Sequence, residues 1–245
     1  MQLQDQIASP GVDRPSLASS AAVASLPAEI TTIDCDLIAP WYEPVEHLCF
    51  GGALERRRNA FLGDLGSVHR ALSCGEGDGR FTAALLRSNT QVEVTAVDAS
   101  QKMLEVATRR VASMGSDLRD RVDYRCGKIH NFIPPRTPFD LIATHFFLDC
   151  FSTDEARAVI HRIAGWAARR TQWIVSEFCQ PPTPVGQLWT GVIIRSLYAA
   201  FRVTTGLQVT RLPDYRPALQ AEGFELRKQE YALGGLLVSE LWKRV

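Results

Sequence analysis

The segment Ala71-Leu72-Ser73-Cys74-Gly75-Glu76-Gly77-Asp78-Gly79-Arg80-Phe81, together with Asp98 downstream, constrains this chain more than any other feature. Leu72 to Cys74 reads as the end of a buried strand. Three glycines at alternate positions follow it, and Phe81 to Leu86 then begins a helix. Glycines so placed let the backbone turn tightly and approach a ligand with no side chain between. Val92 to Val97 reads as a second strand, which delivers Asp98 at its carboxyl end. The order is that of a βαβ unit. A carboxylate at that point has two acceptor oxygens for the two adjacent hydroxyls of a ribose.

The glycine spacing narrows the choice of nucleotide. A dinucleotide fold wants G-x-G-x-x-G, its third glycine allowing the helix to pack closely. Here Arg80 fills that slot and Gly79 comes one residue earlier. The G-x-G-x-G loop resembles motif I of the class I S-adenosylmethionine-dependent methyltransferases, and Val97-Asp98-Ala99-Ser100-Gln101-Lys102-Met103-Leu104 resembles that family's second-strand segment. Gly127, Phe139-Asp140-Leu141-Ile142 and Glu222-Gly223-Phe224 extend the likeness over residues 35–245. Asp36-Leu37-Ile38-Ala39-Pro40-Trp41-Tyr42 and a long helical insert after the fifth strand are most similar to the ubiquinone/menaquinone C-methyltransferase branch.

The resemblance implies S-adenosylmethionine as cofactor. Gly75, Gly77 and Gly79 would admit it against the backbone, Asp98 with Ala99 would hold the ribose, and Met103, Gly127 and Ile129 would border the adenine. Tyr42 would reach the cofactor from a covering segment. Two residues depart from the family pattern. Ser73 stands where an acid usually helps to hold the methionine end, leaving Glu76 or Asp78 to substitute. Lys128 stands where an acid often reads the adenine amino group, and an ammonium cannot accept that proton.

The rest of the chain alternates between the two periodicities. Helices are expected at 80–88, 100–113 and 153–168, and strands at 92–98, 121–126, 139–144 and 171–177. Phe224 to Tyr231 and Leu236 to Trp242 flank Gly234-Gly235 as a β-hairpin, after a short helix from Pro217 to Gly223. The expected fold is a Rossmann-like, doubly wound, mostly parallel seven-stranded sheet with a C-terminal antiparallel hairpin. Residues 1–30 read as a flexible tail, and 31–245 as a single domain with a helical cap at 34–64, broken at Gly51-Gly52, and a helical insert at 185–204.

Charge and cysteine content set the function classes. Lys plus Arg and Asp plus Glu are 27 each, so nothing attracts nucleic acid electrostatically and a small-molecule acceptor is expected. The six cysteines show no C-x-x-C pair and no zinc spacing, so they read as reduced, mostly buried thiols in a cytoplasmic protein with no metal. The first thirty residues lack a basic start followed by an apolar run, so no secretory signal is expected.

Methyl transfer needs alignment of the acceptor, exclusion of water and, for a protonated acceptor, a base. His145, after Leu141-Ile142-Ala143-Thr144, and Asp149, within Phe146-Phe147-Leu148-Asp149-Cys150, are the catalytic candidates. His69 and His161 read as ordinary structural or surface residues, His130 is a weaker candidate than His145, and His47, like Tyr42, lies in the segment expected to cover the pocket. The insert, with Leu188, Trp189, Val192, Ile193, Leu197 and Phe201, is too apolar for a plain surface helix. A lid over a hydrophobic acceptor, with or without a membrane-surface contact through Arg195 and Arg202, ordinary packing on the sheet or a dimer interface would each explain it. The expectation is a methyltransferase acting on a small, hydrophobic acceptor such as a quinol, phenol or lipid-like molecule. The alternatives are a nicotinamide-dependent oxidoreductase on the same sheet and a non-catalytic S-adenosylmethionine-binding module.

Overall fold

The computed structural model describes residue 36 and residues 42–181, 190–191, 209 and 211–245. The expected tail at 1–30, Trp41, the Tyr42 side chain and nearly all of the insert at 185–204 lie outside the described residues.

Seven strands form one sheet: β1 (Arg70–Cys74), β2 (Glu93–Asp98), β3 (Val122–Cys126), β4 (Phe139–His145), β5 (Ala167–Phe178), β6 (Phe224–Ala232) and β7 (Leu237–Arg244). Their order is β3-β2-β1-β4-β5-β7-β6. The β1–β2, β2–β3, β1–β4 and β4–β5 pairs are parallel, and β7 runs antiparallel to both β5 and β6. This is the expected Rossmann-like, mostly parallel sheet, with the antiparallel hairpin closing one edge. The strand order reverses between β1 and β4, and at such a point a crevice opens beyond the carboxyl ends of the strands.

Helices cover both faces. On one, α6 (Thr153–Ala164) and α7 (Arg216–Ala221) bury Val159, Ile160, Ile163 and Leu219 against Leu72, Ile142, Trp173 and Trp242. On the other, α3 (Arg80–Ser88) and the 3-10 turn Leu62–Asp64 pack Phe81, Leu85 and Leu86 beside Ala71, Leu141 and Ile174. Helix α4 (Gln101–Ala112) begins at Ser100, whose Oγ accepts the Met103 N–H at 3.1 Å, the cap that starts this helix straight after β2. Helix α6 starts at a capping box between Ser152 and Glu155. It ends at Ala164, earlier than the expected 168, because Ala167 already pairs with Phe139 in β5. The short α5 (Ser116–Arg119) was not expected.

The N-terminal cap forms as two pieces, α1 (Tyr42–Phe50) and α2 (Ala53–Arg58), with Gly51 and Gly52 at positive φ between them. The cysteine expectation needs correction. Among the described cysteines Cys74 alone is buried, while Cys49 and Cys126 are exposed; all five are free thiols. Among the described residues no helix is long and apolar enough to cross a membrane.

Candidate active site

A cleft open to solvent lies at the carboxyl ends of β1, β2 and β4. The glycine loop forms its floor. Gly75 and Glu76 both donate their N–H to Val97 O, at 2.9 and 3.1 Å, which sets the loop against β2. The three glycines serve three purposes. A Cβ on Gly75 would lie 2.5 Å from Phe147 Cδ2, and one on Gly79 would lie 2.7 Å from Ala107 Cα, so these two admit a ring and a neighbouring helix. Gly77, at φ +63°, would meet nothing within 4 Å. Its Cβ position is open space in the lining of the cleft.

Asp98 sits where the sequence puts it. Its Oδ2 accepts the Gly77 N–H at 2.8 Å and its Oδ1 accepts the Ser100 N–H at 2.8 Å, leaving further lone pairs on each oxygen. Burial pushes its pKa up, against the lowering effect of these two N–H groups. The carboxylate therefore braces the loop as well as facing the cleft. Ala99, Met103, Gly127 and Ile129 line the same end, with Met103 and Ile129 buried and Lys128 exposed at the rim.

Of the two acids proposed to replace the one missing at Ser73, the structure separates free from committed. Asp78 is bound by Arg80 at 2.8 Å and Arg110 at 3.4 Å. Glu76 is 8% exposed and lines the cleft, and neither of its carboxyl oxygens has a hydrogen-bond partner of good geometry. Burial raises its pKa to about 7, helped by the charges of Asp78 and Asp98 and opposed by the nearby Ser73 and Thr82 hydroxyls.

Sequence reasoning missed the ion network beneath the cap. Glu46 of α1 binds Arg58 of α2 at 2.6 and 2.9 Å and Arg80 of α3 at 2.7 Å. Arg110 joins Glu43 at 2.6 Å and the Asp78 carbonyl at 2.9 Å. Burial opposes ionisation of Glu46, but the two guanidiniums, Arg58 foremost, hold its pKa below the usual value. A charge at Glu46 on an otherwise apolar helix face was the available signal. It needed the fold to show that Arg58 and Arg80 converge on it.

His145 ends β4 and lines the cleft. It is 8% exposed, and burial followed by the Arg58 charge lowers its pKa to about 3. Its Nδ1 lies 3.0 Å from Ser176 Oγ, and its Nε2 is buried without a partner. Asp149 differs: it is buried in the 3-10 turn Leu148–Cys150 and is not among the residues lining the cleft. Its charge faces Glu177, a residue the sequence reading passed over. Glu177 Oε1 accepts the Phe147 and Leu148 N–H groups at 3.1 and 2.8 Å. Burial and the mutual repulsion push Glu177 well above the carboxylate range. Glu177 thus pins the turn entered at Phe146, a non-glycine residue at φ 52°. Phe147 and Phe151 from that stretch, their ring centroids 5.1 Å apart, line the cleft together with Phe81, whose ring packs against His145 at 4.4 Å. His130 also lines the cleft, whereas His161 pairs with Glu222 at 2.7 Å on the surface.

Residues 71–169 match the family model described as a methyltransferase domain, a stretch holding every cleft-lining residue except Arg58. No curated protein matches the sequence. Among solved structures, the chain is similar to an O-methyltransferase family protein from Burkholderia thailandensis, with 15% identity, a TM-score of 0.62, and coverage of 84% of this chain and 57% of that one. It is also similar to an O-methyltransferase from neocarzinostatin biosynthesis, solved with S-adenosylmethionine and 2-hydroxy-5-methyl naphthoic acid, at 15% identity, TM-score 0.59, and 85% and 57% coverage. A third is magnesium protoporphyrin IX methyltransferase from Synechocystis with bound S-adenosylhomocysteine, at 17% identity, TM-score 0.56, and 78% and 82% coverage. The chain spans less than two thirds of the length of the first two. At these identities the likeness establishes the fold.

Proposed function

We propose that this protein is an S-adenosylmethionine-dependent methyltransferase acting on a small, hydrophobic, aromatic acceptor of the quinol or phenol kind. The observation that carries the reading is Glu76, a buried carboxyl lining the cleft that makes no ion pair among the described residues and has only the Ser73 and Thr82 hydroxyls beside it. A buried acid left in this state calls for a cation. S-adenosylmethionine fits this donor set: it brings an ammonium for Glu76, a ribose for Asp98 and an adenine for the apolar walls of Met103 and Ile129. When bound, it supplies a methyl group on a strongly electrophilic sulfonium.

The chain's own residues do the rest. Gly77 leaves the approach open, and Asp98 holds the ribose while bracing the loop. Glu76, in place of an acid at Ser73, fixes the amino-acid end. The network of Glu46, Arg58, Arg80 and Asp78 ties the cap to the loop, so that the covering helix and the cofactor floor move as one. Phe81, Phe147 and Phe151 exclude water and favour a flat apolar acceptor around His145. The likeness of Asp36 to Tyr42 to the quinone branch supports a quinol among these acceptors. Residues 31–245 act as one catalytic unit, with the cytoplasm as its setting.

The test is label transfer from methyl-labelled S-adenosylmethionine to a panel of quinols and hydroxyarenes. Label in the extracted acceptor, dependent on both protein and acceptor, is the expected result. Cofactor binding without transfer to any member would favour a non-catalytic binding module instead.

A further inference from the structure

Behind His145 lies a short relay. Ser239 Oγ is 2.8 Å from the Arg57 carbonyl oxygen, and Ser176 Oγ is 3.0 Å from the same oxygen. Ser176 Oγ also lies 3.4 Å from Ser239 Oγ, a longer contact. A carbonyl oxygen has two lone pairs and no hydrogen, so it is an acceptor for both hydroxyls, and the shorter Arg57 contact is the better place for the Ser176 hydrogen. Ser176 then has no hydrogen left for His145 Nδ1, 3.0 Å away. With that hydrogen committed, the imidazole is the donor in the Nδ1 contact and Nδ1 carries the ring proton, an assignment from the hydrogen-bond network. Nε2 is left with a bare lone pair, buried and without a partner, on a residue that lines the cleft. Phe81, its ring centroid 4.4 Å from that of the imidazole, packs against the ring and fixes its plane.

We propose that Ser176 is a positioning residue that holds His145 as the Nδ1–H tautomer, so that the cleft offers a lone pair at Nε2 and selects acceptors with an O–H or N–H at the reacting atom. This deepens the methyltransferase reading and rests on it. A donor is what an unpaired buried acceptor rewards, and an acceptor without one leaves Nε2 desolvated. The neutral imidazole is too weak a base to strip a hydroxyl in advance. The acceptor oxygen bonds the methyl carbon as the methyl–sulfur bond breaks, the bonding pair staying on sulfur as the neutral thioether of S-adenosylhomocysteine; the O–H proton passes to Nε2, and the imidazolium returns it to water.

The test uses long-range proton–nitrogen spectra of the full chain labelled with nitrogen-15 histidine, with and without S-adenosylhomocysteine. His145 is assigned by its loss in His145→Gln. The wild type is expected to show a protonated Nδ1 and a bare Nε2 at pH 7. Ser176→Ala should mix or reverse the tautomers, Ser176→Thr should restore them, and both should bind S-adenosylhomocysteine within about twofold of wild type. Addition of 1-naphthol should shift the Nε2 resonance, and 1-methoxynaphthalene should not. An Nε2–H tautomer in the wild type, an unchanged tautomer in Ser176→Ala, or equal shifts with both naphthalenes would overturn the proposal. The wild-type and threonine spectra decide the matter even if the alanine variant fails to fold. Absence of S-adenosylhomocysteine binding by the wild type would instead overturn the underlying reading, while the tautomer measurement stood.

Discussion

Replacing Glu76 by glutamine tests the cofactor site through both stability and binding. Burial moves the Glu76 pKa from 4.5 to about 7. That gap corresponds to about 3 kcal/mol between its two protonation states. Because the folded pKa lies above the unfolded one, the folded protein holds the extra proton between these values. The contribution of Glu76 is therefore most favourable at low pH and is lost as pH rises from about 4.5 to 7, with no further change above. The stability difference between Glu76→Gln and wild type should move in the variant's favour by about 3 kcal/mol across that window, whatever constant offset the buried amide adds. Denaturant melts at several pH values read this directly. Binding should show the complementary effect. An ammonium beside Glu76 needs the carboxylate, so at pH 6 cofactor binding to the wild type should release about 0.9 proton, seen by calorimetry in buffers of different ionisation enthalpy. Affinity should fall about tenfold per pH unit below 7 in the wild type and stay flat in the variant. At pH 8 the variant should bind about 10- to 150-fold more weakly, the range for a hydrogen bond to a charged group. Equal proton release and equal pH slopes in the two proteins would refute the assignment.

Asp98→Ala should weaken S-adenosylmethionine binding by about 1.5 to 3 kcal/mol by calorimetry, and should raise hydrogen exchange at Gly77, whose N–H it holds at 2.8 Å. Gly77→Ala and Gly79→Ala should separate ligand room from packing. The Gly79 substitution meets Ala107 backbone at 2.7 Å and should cost about 2 to 4 kcal/mol in a chemical melt, with overpacking added to left-handed strain. The Gly77 substitution should cost only about 1 kcal/mol of stability but abolish measurable cofactor binding. Glu46→Ala leaves Arg58 and Arg80 without their shared carboxylate and should destabilise the fold by about 3 to 5 kcal/mol. A change under 1 kcal/mol would mean the network is not what holds the cap.

What could be read from the sequence was what local periodicity encodes. The glycine loop, Asp98 and the alternation of strands and helices report neighbours within one βαβ unit, and they appeared at or within a few residues of the expected places. The Gly234-Gly235 turn likewise carried its own geometry, closing β6 onto β7. The convergence of distant residues was not legible. Glu46, Arg58 and Arg80 lie on three helices, and Ser176, Ser239 and Arg57 come from β5, β7 and α2. Each looks unremarkable in its own segment. Asp149 shows the same limit in reverse: its place after β4 suggested a catalytic group, but the kink at Phe146 turns the following residues under the cleft wall towards Glu177. The roles of the three glycines also needed tertiary contacts, since spacing alone does not tell a ligand from a neighbouring helix.

The most direct measurement is calorimetric titration of the purified protein with S-adenosylmethionine, S-adenosylhomocysteine and NADH in parallel. The account predicts binding of the first two with dissociation constants on the order of micromolar, about 8 kcal/mol of binding free energy, and no heat from NADH. Binding of NADH alone, or of none of the three, would contradict it.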